Sequence, residues 1–261
     1  MTDPRYLTGH HAIVTGGSRG IGAAVAFELA GLGANVTIMG RDQTRLDDHA
    51  EYVAKAHGVE VAAVQCDVSD EASVAEAFRV ARETFGVPYV LVNNAGQAEG
   101  GPFTATSLTL WNQLLAVNLT GTFLCMQQVV PAMIEAKAGR IVNMASVSGL
   151  VAAQQLSAYT ASKHGVIGLT KVVALETAKH GVTVNAVCPG YVDTEMAQRA
   201  VQNLVNAGRT EEEAHKMIVR TIPRGTLITP EEVASAVAWL CSPGASGVSG
   251  ETLKVAGGGA L

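Results

Sequence analysis

The sequence predicts an α/β fold, a parallel sheet with helices on both faces, and three observations carry that prediction. Short apolar runs of strand length alternate with longer segments of helical periodicity from one end of the chain to the other. The first strand and helix are joined by a glycine-rich turn, Gly16-Gly17-Ser18-Arg19-Gly20-Ile21-Gly22, the signature of a doubly wound, Rossmann-type sheet. With 261 residues, 48% of them hydrophobic and 16% charged, the chain has enough apolar surface to bury one sizeable core. No linker, repeat or low-complexity stretch divides it, so residues 1–261 read as a single dinucleotide-binding domain.

The elements follow in order. The run His11-Ala12-Ile13-Val14 gives the first strand, near 11–15, and the glycine turn opens a helix near 20–32. Gly16 permits the tight turn, Gly20 lets the backbone approach a pyrophosphate, and Gly22 lets the helix pack close to the sheet. The N-terminus of that helix offers free N–H groups to phosphates. A second strand near 35–39 runs into Gly40-Arg41. A dinucleotide with a free ribose calls for a carboxylate about 20 residues beyond the glycines, whereas a 2′-phosphate calls for arginine and no carboxylate. Gly40 stands at the acid position and Arg41 follows it, so the expected cofactor is NADP(H).

A helix near 43–57 and a strand near 59–65 lead to Cys66-Asp67-Val68-Ser69-Asp70, whose side chains suit a helix start. The helix runs near 70–85 and a strand near 89–93 follows. A long helix is expected over 108–137, with Asn118 inside it, then a strand near 140–145 and Ser146. The next helix, near 157–180, has apolar residues on more than one face, which suits burial on the sheet and against a neighbour. A strand near 182–187 ends before Pro189-Gly190. Residues 191–229 are polar and only partly helical (194–206 and 210–219), and they follow a strand's carboxyl end, where open parallel sheets bind ligands. They are read as a substrate-binding lid. A helix near 230–241 and a strand near 251–255 complete the fold.

The residue pair that speaks of chemistry is Tyr159 and Lys163. Four positions apart on one helix, they share a face. A nearby ammonium favours phenolate and draws the tyrosine pKa from about 10 toward neutrality, where a general acid/base works best. This points to proton chemistry on an alcohol or carbonyl.

Composition excludes several other classes. A net charge of −5 argues against a nucleic-acid or anionic-membrane surface. The longest apolar runs are strand-sized, and Met1-Thr2-Asp3-Pro4-Arg5-Tyr6 holds no apolar signal core, so no membrane partner and a cytoplasmic location are expected. Cys66, Cys125, Cys188 and Cys241 show neither CxxC nor zinc spacing and read as reduced packing residues, with no metal site.

Taken together, Thr15-Gly16-(three residues)-Gly20-Ile21-Gly22, Asn93-Asn94-Ala95-Gly96, Asn118, Ser146, Tyr159-(three residues)-Lys163 and Pro189-Gly190 resemble the short-chain dehydrogenase/reductase family, over essentially the whole chain. The resemblance implies that Asn118, Ser146, Tyr159 and Lys163 are catalytic: the phenol gives its proton, the serine bonds the same oxygen, the lysine also bonds the nicotinamide ribose, and Asn118 holds a water in a proton relay. It implies a cofactor site formed by Gly16, Ser18, Arg19, Gly20, Ile21, Gly22, Arg41, Asp67, Val68, Asn94, Ala95, Gly96, Pro189, Gly190, Val192 and Thr194, besides Tyr159 and Lys163. Asp67 would bond the adenine amine and Thr194 the carboxamide, Arg19 would add a second charge for NADP(H), and Asn94 would serve either the ribose or the sheet. It also implies a homotetramer built through the helices at 108–137 and 157–180 and through the final helix and strand.

The stretch from Val142 to Lys171 is similar to both D-3-hydroxybutyrate dehydrogenases and 3-oxoacyl-thioester reductases. The former hold a carboxylate with a histidine and a lysine at positions that are Ser148 and Leu156 here. Without them a buried carboxylate would cost several kcal/mol, so a small keto acid is disfavoured. The expected substrate is a 3-oxoacyl thioester, as an acyl-CoA or carrier-protein conjugate, reduced to its 3-hydroxyacyl form. The alternative is a cyclic, aromatic or polyketide-like ketone, and a remoter one is a silent NADP-binding regulator. Enoyl reductases of this fold usually show a changed spacing before the lysine. Candidate substrate contacts are Gln97, Ser146, Gln154, Leu156, Tyr159 and Tyr191.

Overall fold

The computed structural model describes residues 5–259; the first four residues of the N-terminal segment read above lie outside the described residues. Seven strands are formed, β1 (His11–Thr15), β2 (Asn35–Gly40), β3 (Val61–Gln65), β4 (Pro88–Asn93), β5 (Gly139–Met144), β6 (Val182–Pro189) and β7 (Thr252–Val255). They make one all-parallel sheet in the order β3-β2-β1-β4-β5-β6-β7. Between them lie α1 (Gly20–Gly31), α2 (Gln43–His57), α3 (Glu71–Phe85), α4 (Leu108–Leu115), α5 (Gly121–Ala136), α6 (Ser157–Thr177), α7 (Glu195–Asn206), α8 (Glu211–Val219) and α9 (Pro230–Cys241).

Side chains alternate across each strand, so the sheet carries a core on each face. Ala12 and Val14 of β1 join Val25, Leu29, Leu46, Val53, Val233 and Val237 of α1, α2 and α9. Ile13 between them joins Phe78, Val129, Met133 and Ala174 of α3, α5 and α6. Phe78, Ile13, Leu91 and Leu29 are fully buried, each contributing roughly 1.5–3 kcal/mol of hydrophobic stabilisation. Both faces being covered explains why the strands read as continuous apolar runs.

The helices start on side-chain caps: Asp42, Asp70 and Ser107 accept from backbone N–H groups at α2, α3 and α4, and Thr210 and Thr229 form capping boxes at α8 and α9. Asp70, not Asp67, is the cap of α3. At α1 the N-cap residue Arg19 makes no side-chain cap bond, so that terminus keeps its donors for another acceptor.

One expected helix differs. The run 108–137 is interrupted by a π-turn at Ala116–Thr120, with Asn118 at its centre. Leu108–Ala136 is also long and apolar enough, by length and composition, to cross a membrane, contrary to the expectation of strand-sized apolar runs only. Here α4, the π-turn and α5 instead lie against the sheet and α6, burying Leu114, Asn118, Leu124, Val129 and Met133.

Strand order reverses between β1 and β4, and the crevice beyond their carboxyl ends is the place where such sheets take ligands. The glycine turn leaves β1 there, Asn94-Ala95-Gly96 leaves β4, and Ser146 leaves β5 beside them.

Candidate active site

The glycine turn is shaped for close approach. Gly16 and Gly20 have φ of +64° and +52°, the left-handed region that glycine tolerates. A Cβ on Gly22 would stand 2.1 Å from the Gly16 carbonyl oxygen and 2.4 Å from Asn94 Nδ2, so the packing expected of Gly22 is against the turn itself and β4. Thr15, which the sequence reading gave no role, binds the two strand ends together. Its Oγ1 accepts from the backbone N–H groups of Asn94 at 3.0 Å and Ala95 at 3.1 Å. Asn94 Nδ2 donates to the Thr15 and Gly16 carbonyls. These bonds are of the structural kind expected of Asn94.

Other expected cofactor residues gather along the same crevice. Thr194 lies against Gly20, its Cγ2 being 3.2 Å from where a Cβ there would stand, and its hydroxyl donates to the Val192 carbonyl at 3.2 Å. Val192 is buried and forms a bridge with Ile228. Gly190 donates to the Val255 carbonyl, and a Cβ there would crowd Ala256 at 3.2 Å, so its need for glycine is met within the fold. Ser18 and Ile21 are half-buried in the turn. Val68 packs on Gly121. Asp67 accepts from Ser69 N–H and Oγ, and that hydroxyl, with the Arg41 charge, holds its carboxyl below the usual range. The uncapped α1 terminus, the positive-φ glycines and the nearby arginines fit a phosphate-bearing dinucleotide.

Arg19 and Arg41 are exposed. Arg19 pairs with Glu195, the first residue of α7, and Arg45 reaches the same carboxylate at 3.3 Å. Neither Arg45 nor Glu195 emerged from the sequence, since nothing in local spacing links residues on α2 and α7.

Ser146, Tyr159 and Lys163 converge beyond β5. Ser146 caps a short 3-10 turn, its Oγ accepting from Ser148 N–H at 3.1 Å, which leaves its hydroxyl hydrogen to donate elsewhere. Lys163, 4% exposed, donates from Nζ to the Met144 carbonyl at 2.7 Å and lies 5.7 Å from the Tyr159 ring centroid. Burial pushes the Lys163 ammonium down to about 8. Burial also raises the Tyr159 phenol, the Ser146 hydroxyl opposing the rise and Tyr191 and Cys188 adding to it. The expected fall in the tyrosine pKa is therefore not met: Lys163 is turned toward Met144, and desolvation outweighs its field.

Asn118 is 1% exposed and its side chain is fully engaged. Oδ1 accepts from Gln97 N–H at 2.8 Å, and Nδ2 donates to the Gln97 carbonyl at 2.9 Å and to Ser162 Oγ at 3.1 Å. Ser162, a second residue the sequence reading passed over, donates in turn to the Tyr159 carbonyl at 2.7 Å. Asn118 thus joins the segment after β4 to the first turn of α6. Gly96 sits between Asn118 and Lys163, with a Cβ there 3.2 Å from Oδ1 and 3.6 Å from Nζ.

Of the expected substrate contacts, Gln97 is held by Asn118 and its Oε1 accepts from Gln113 Nε2 at 2.9 Å. Leu156 packs on Gly100, while Gln155 (φ +63°) accepts from Gly101 N–H at 2.8 Å, so the segments after β4 and before α6 form one wall. Tyr191 is near enough to act on the Tyr159 phenol. Gln154 is exposed, and no hydrogen bond ties it to this cluster. Among the described residues there is no metal-ligating cluster.

A family model described as enoyl-(acyl carrier protein) reductase matches residues 15–259. The chain is 40% identical over 252 residues to 3-oxoacyl-[acyl-carrier-protein] reductase of Aquifex aeolicus, covering 97% of this chain and 98% of that one. It is 37% identical over 254 residues to D-beta-hydroxybutyrate dehydrogenase of Cupriavidus necator, again over 97% and 98%. A crystal structure of a variant actinorhodin polyketide ketoreductase with NADPH superposes with a TM-score of 0.91 at 38% identity, over 95% of this chain and 96% of the other.

Proposed function

The chain belongs to the short-chain dehydrogenase/reductase family, and from that premise we propose that it is an NADP(H)-dependent oxidoreductase interconverting a 3-oxoacyl thioester and its 3-hydroxyacyl form. The observation that carries the reaction class is the convergence of Ser146, Tyr159 and Lys163 beside the glycine turn. NADP(H), when bound, supplies or accepts the hydride. Gly16, Ser18, Arg19, Gly20, Ile21 and Gly22 hold its phosphates, Arg41 favours the 2′-phosphate, and Asp67, Val68, Asn94, Ala95, Gly96, Pro189, Gly190, Val192 and Thr194 line the rest.

In reduction Tyr159 donates its proton to the oxygen that gains charge, and Ser146 donates a hydrogen bond to the same oxygen. A phenol whose pKa is raised is fully protonated at neutral pH and ready to act as this acid. Lys163, an ammonium below about pH 8, steadies the charge left on Tyr159 and bonds the nicotinamide ribose. Asn118 and Ser162 keep the first turn of α6 in register with the segment after β4, and Asn118 is proposed to support the water relay.

Ser148 and Leu156 offer no cation to a free carboxylate, and the relatives named as 3-oxoacyl reductase and polyketide ketoreductase support a larger, uncharged ketone. Residues 191–229 act as lid, and Gln97, Gln154, Leu156 and Tyr191 contact the substrate. The polyketide relative favours a second reading, a cyclic or polyketide-like ketone. A homotetramer through α5 and α6 also belongs to this proposal, supported by Phe123, Val172 and Leu175, which stand exposed on those helices. The test is NADPH oxidation by purified protein with acetoacetyl-CoA against uncharged cyclic and aryl ketones. Preference for the thioester is expected; an idle thioester beside active ketones would replace the first reading by the second.

A further inference from the structure

One carboxylate gathers the positive charge around the glycine turn. Glu195 opens α7 immediately after Thr194, and it pairs with Arg19 from the turn after β1, with Arg45 from the first turn of α2 at 3.3 Å, and with Arg199 one turn along its own helix at 3.8 Å. Asp42 lies beside Arg45 as well, 3.4 Å from its Nε. Two guanidinium groups from different elements therefore converge on a single anion position at the edge of the crevice, where the turn bearing Arg19 leaves β1 and α2 begins shortly after Arg41. The Glu195 carboxylate stands where an anionic oxygen is favoured, and its chemistry is that of a stand-in for a phosphoryl group: acceptor oxygens facing planar donors.

We infer that Arg45 is a further determinant of 2′-phosphate binding, and that Glu195 is an internal counter-anion that a phosphate must displace from Arg19 and Arg45. The inference rests on the NADP(H) reading above. Both pairs are about half exposed, at 48%/48% and 53%/48%, so each is weak and readily exchanged. The dianionic phosphate offers Arg19 and Arg45 more charge than the carboxylate does, and the freed Glu195 is then a nearby like charge that holds down affinity. Because Glu195 begins α7, the exchange also loosens the tie between the lid and the cofactor turn.

The test is calorimetric titration of the purified protein, without substrate, with NADPH and with NADH. Glu195→Gln keeps the shape and removes the charge; it should tighten NADPH by about two- to five-fold, consistent with the worth of an exposed ion pair, and change NADH by less. Arg45→Ala should weaken NADPH by a similar factor and leave NADH unchanged. Raising the ionic strength should narrow the gap between wild type and Glu195→Gln, because exposed charges are screened. If NADPH binds Glu195→Gln no more tightly than wild type, or Arg45→Ala no more weakly, the inference is wrong while the cofactor reading stands. If wild type binds NADH as tightly as NADPH, the cofactor reading itself fails and this inference falls with it.

Discussion

Lys163→Met tests whether the structure carries a buried charge for function at a cost in stability. Lys163 is 4% exposed and its ammonium is pushed down to about 8 from an ordinary value near 10.5. A base whose folded pKa lies below its unfolded value binds fewer protons when folded, so stability rises with pH between the two values. Above about pH 10.5 the group is neutral in both states and costs nothing. As pH falls through 10.5 to 8 the unfolded chain takes up a proton that the folded chain does not, and the penalty grows to about 3 kcal/mol at pH 7, against roughly 1 kcal/mol at pH 10. The variant also loses the 2.7 Å bond from Nζ to the Met144 carbonyl, a loss of about 1–3 kcal/mol. A neutral amine still donates to that carbonyl, so the loss is similar at both pH values. The raised phenol of Tyr159 and the raised thiols of Cys66, Cys125 and Cys241 are present in both proteins and cancel in the difference, whereas the Cys188 thiol, which the Lys163 charge draws down, rises further in the variant and widens the gap in the same direction.

Urea unfolding of cofactor-free wild type and Lys163→Met at pH 7 and pH 10 reads the quantity directly. The variant's stability relative to wild type should be more favourable at pH 7 than at pH 10 by about 2 kcal/mol, whatever its absolute value. Parallel stabilities, with the difference constant within about 0.5 kcal/mol, would mean that Lys163 titrates near its ordinary value and that the packing around it does not desolvate the charge.

Two further outcomes are expected. Tyr159→Phe should lower kcat for reduction by about 10²–10⁴-fold while NADPH affinity, measured by titration, stays within a factor of about two; retained turnover would remove Tyr159 as the acid. Gly22→Ala should destabilise the protein by more than about 2 kcal/mol in thermal or urea unfolding, since the added methyl meets the Gly16 carbonyl and the Asn94 amide, and a near-neutral result would show that the turn yields.

Much of this architecture was legible because its signals are local. Strand positions followed from apolar runs bounded by glycine, proline or charged residues, and His11–Thr15 and helix Gln43–His57 lie where the pattern puts them. The π-turn was not legible: it adds one residue to a turn, too little to disturb an apolar pattern, and Asn118 is held there by Gln97 and Ser162, which are distant in sequence. The Glu195 pairs were hidden for the same reason, since exposed charges on α2 and α7 carry no mutual spacing.

The reversal at Tyr159 and Lys163 has a different origin. Helical spacing brings a phenol and an ammonium to one face, and taken alone that geometry lowers the phenol's pKa. Spacing says nothing about how much protein surrounds the pair. Here Lys163 is buried and Tyr159 half-buried, and desolvation acts on each group in the direction that removes charge, up for the phenol and down for the ammonium. At neutral pH the phenol is firmly protonated, and the ammonium, though weakened to about 8, still largely keeps its proton. In that state the phenol carries the proton it would deliver to a ketone oxygen, which a standing phenolate would not.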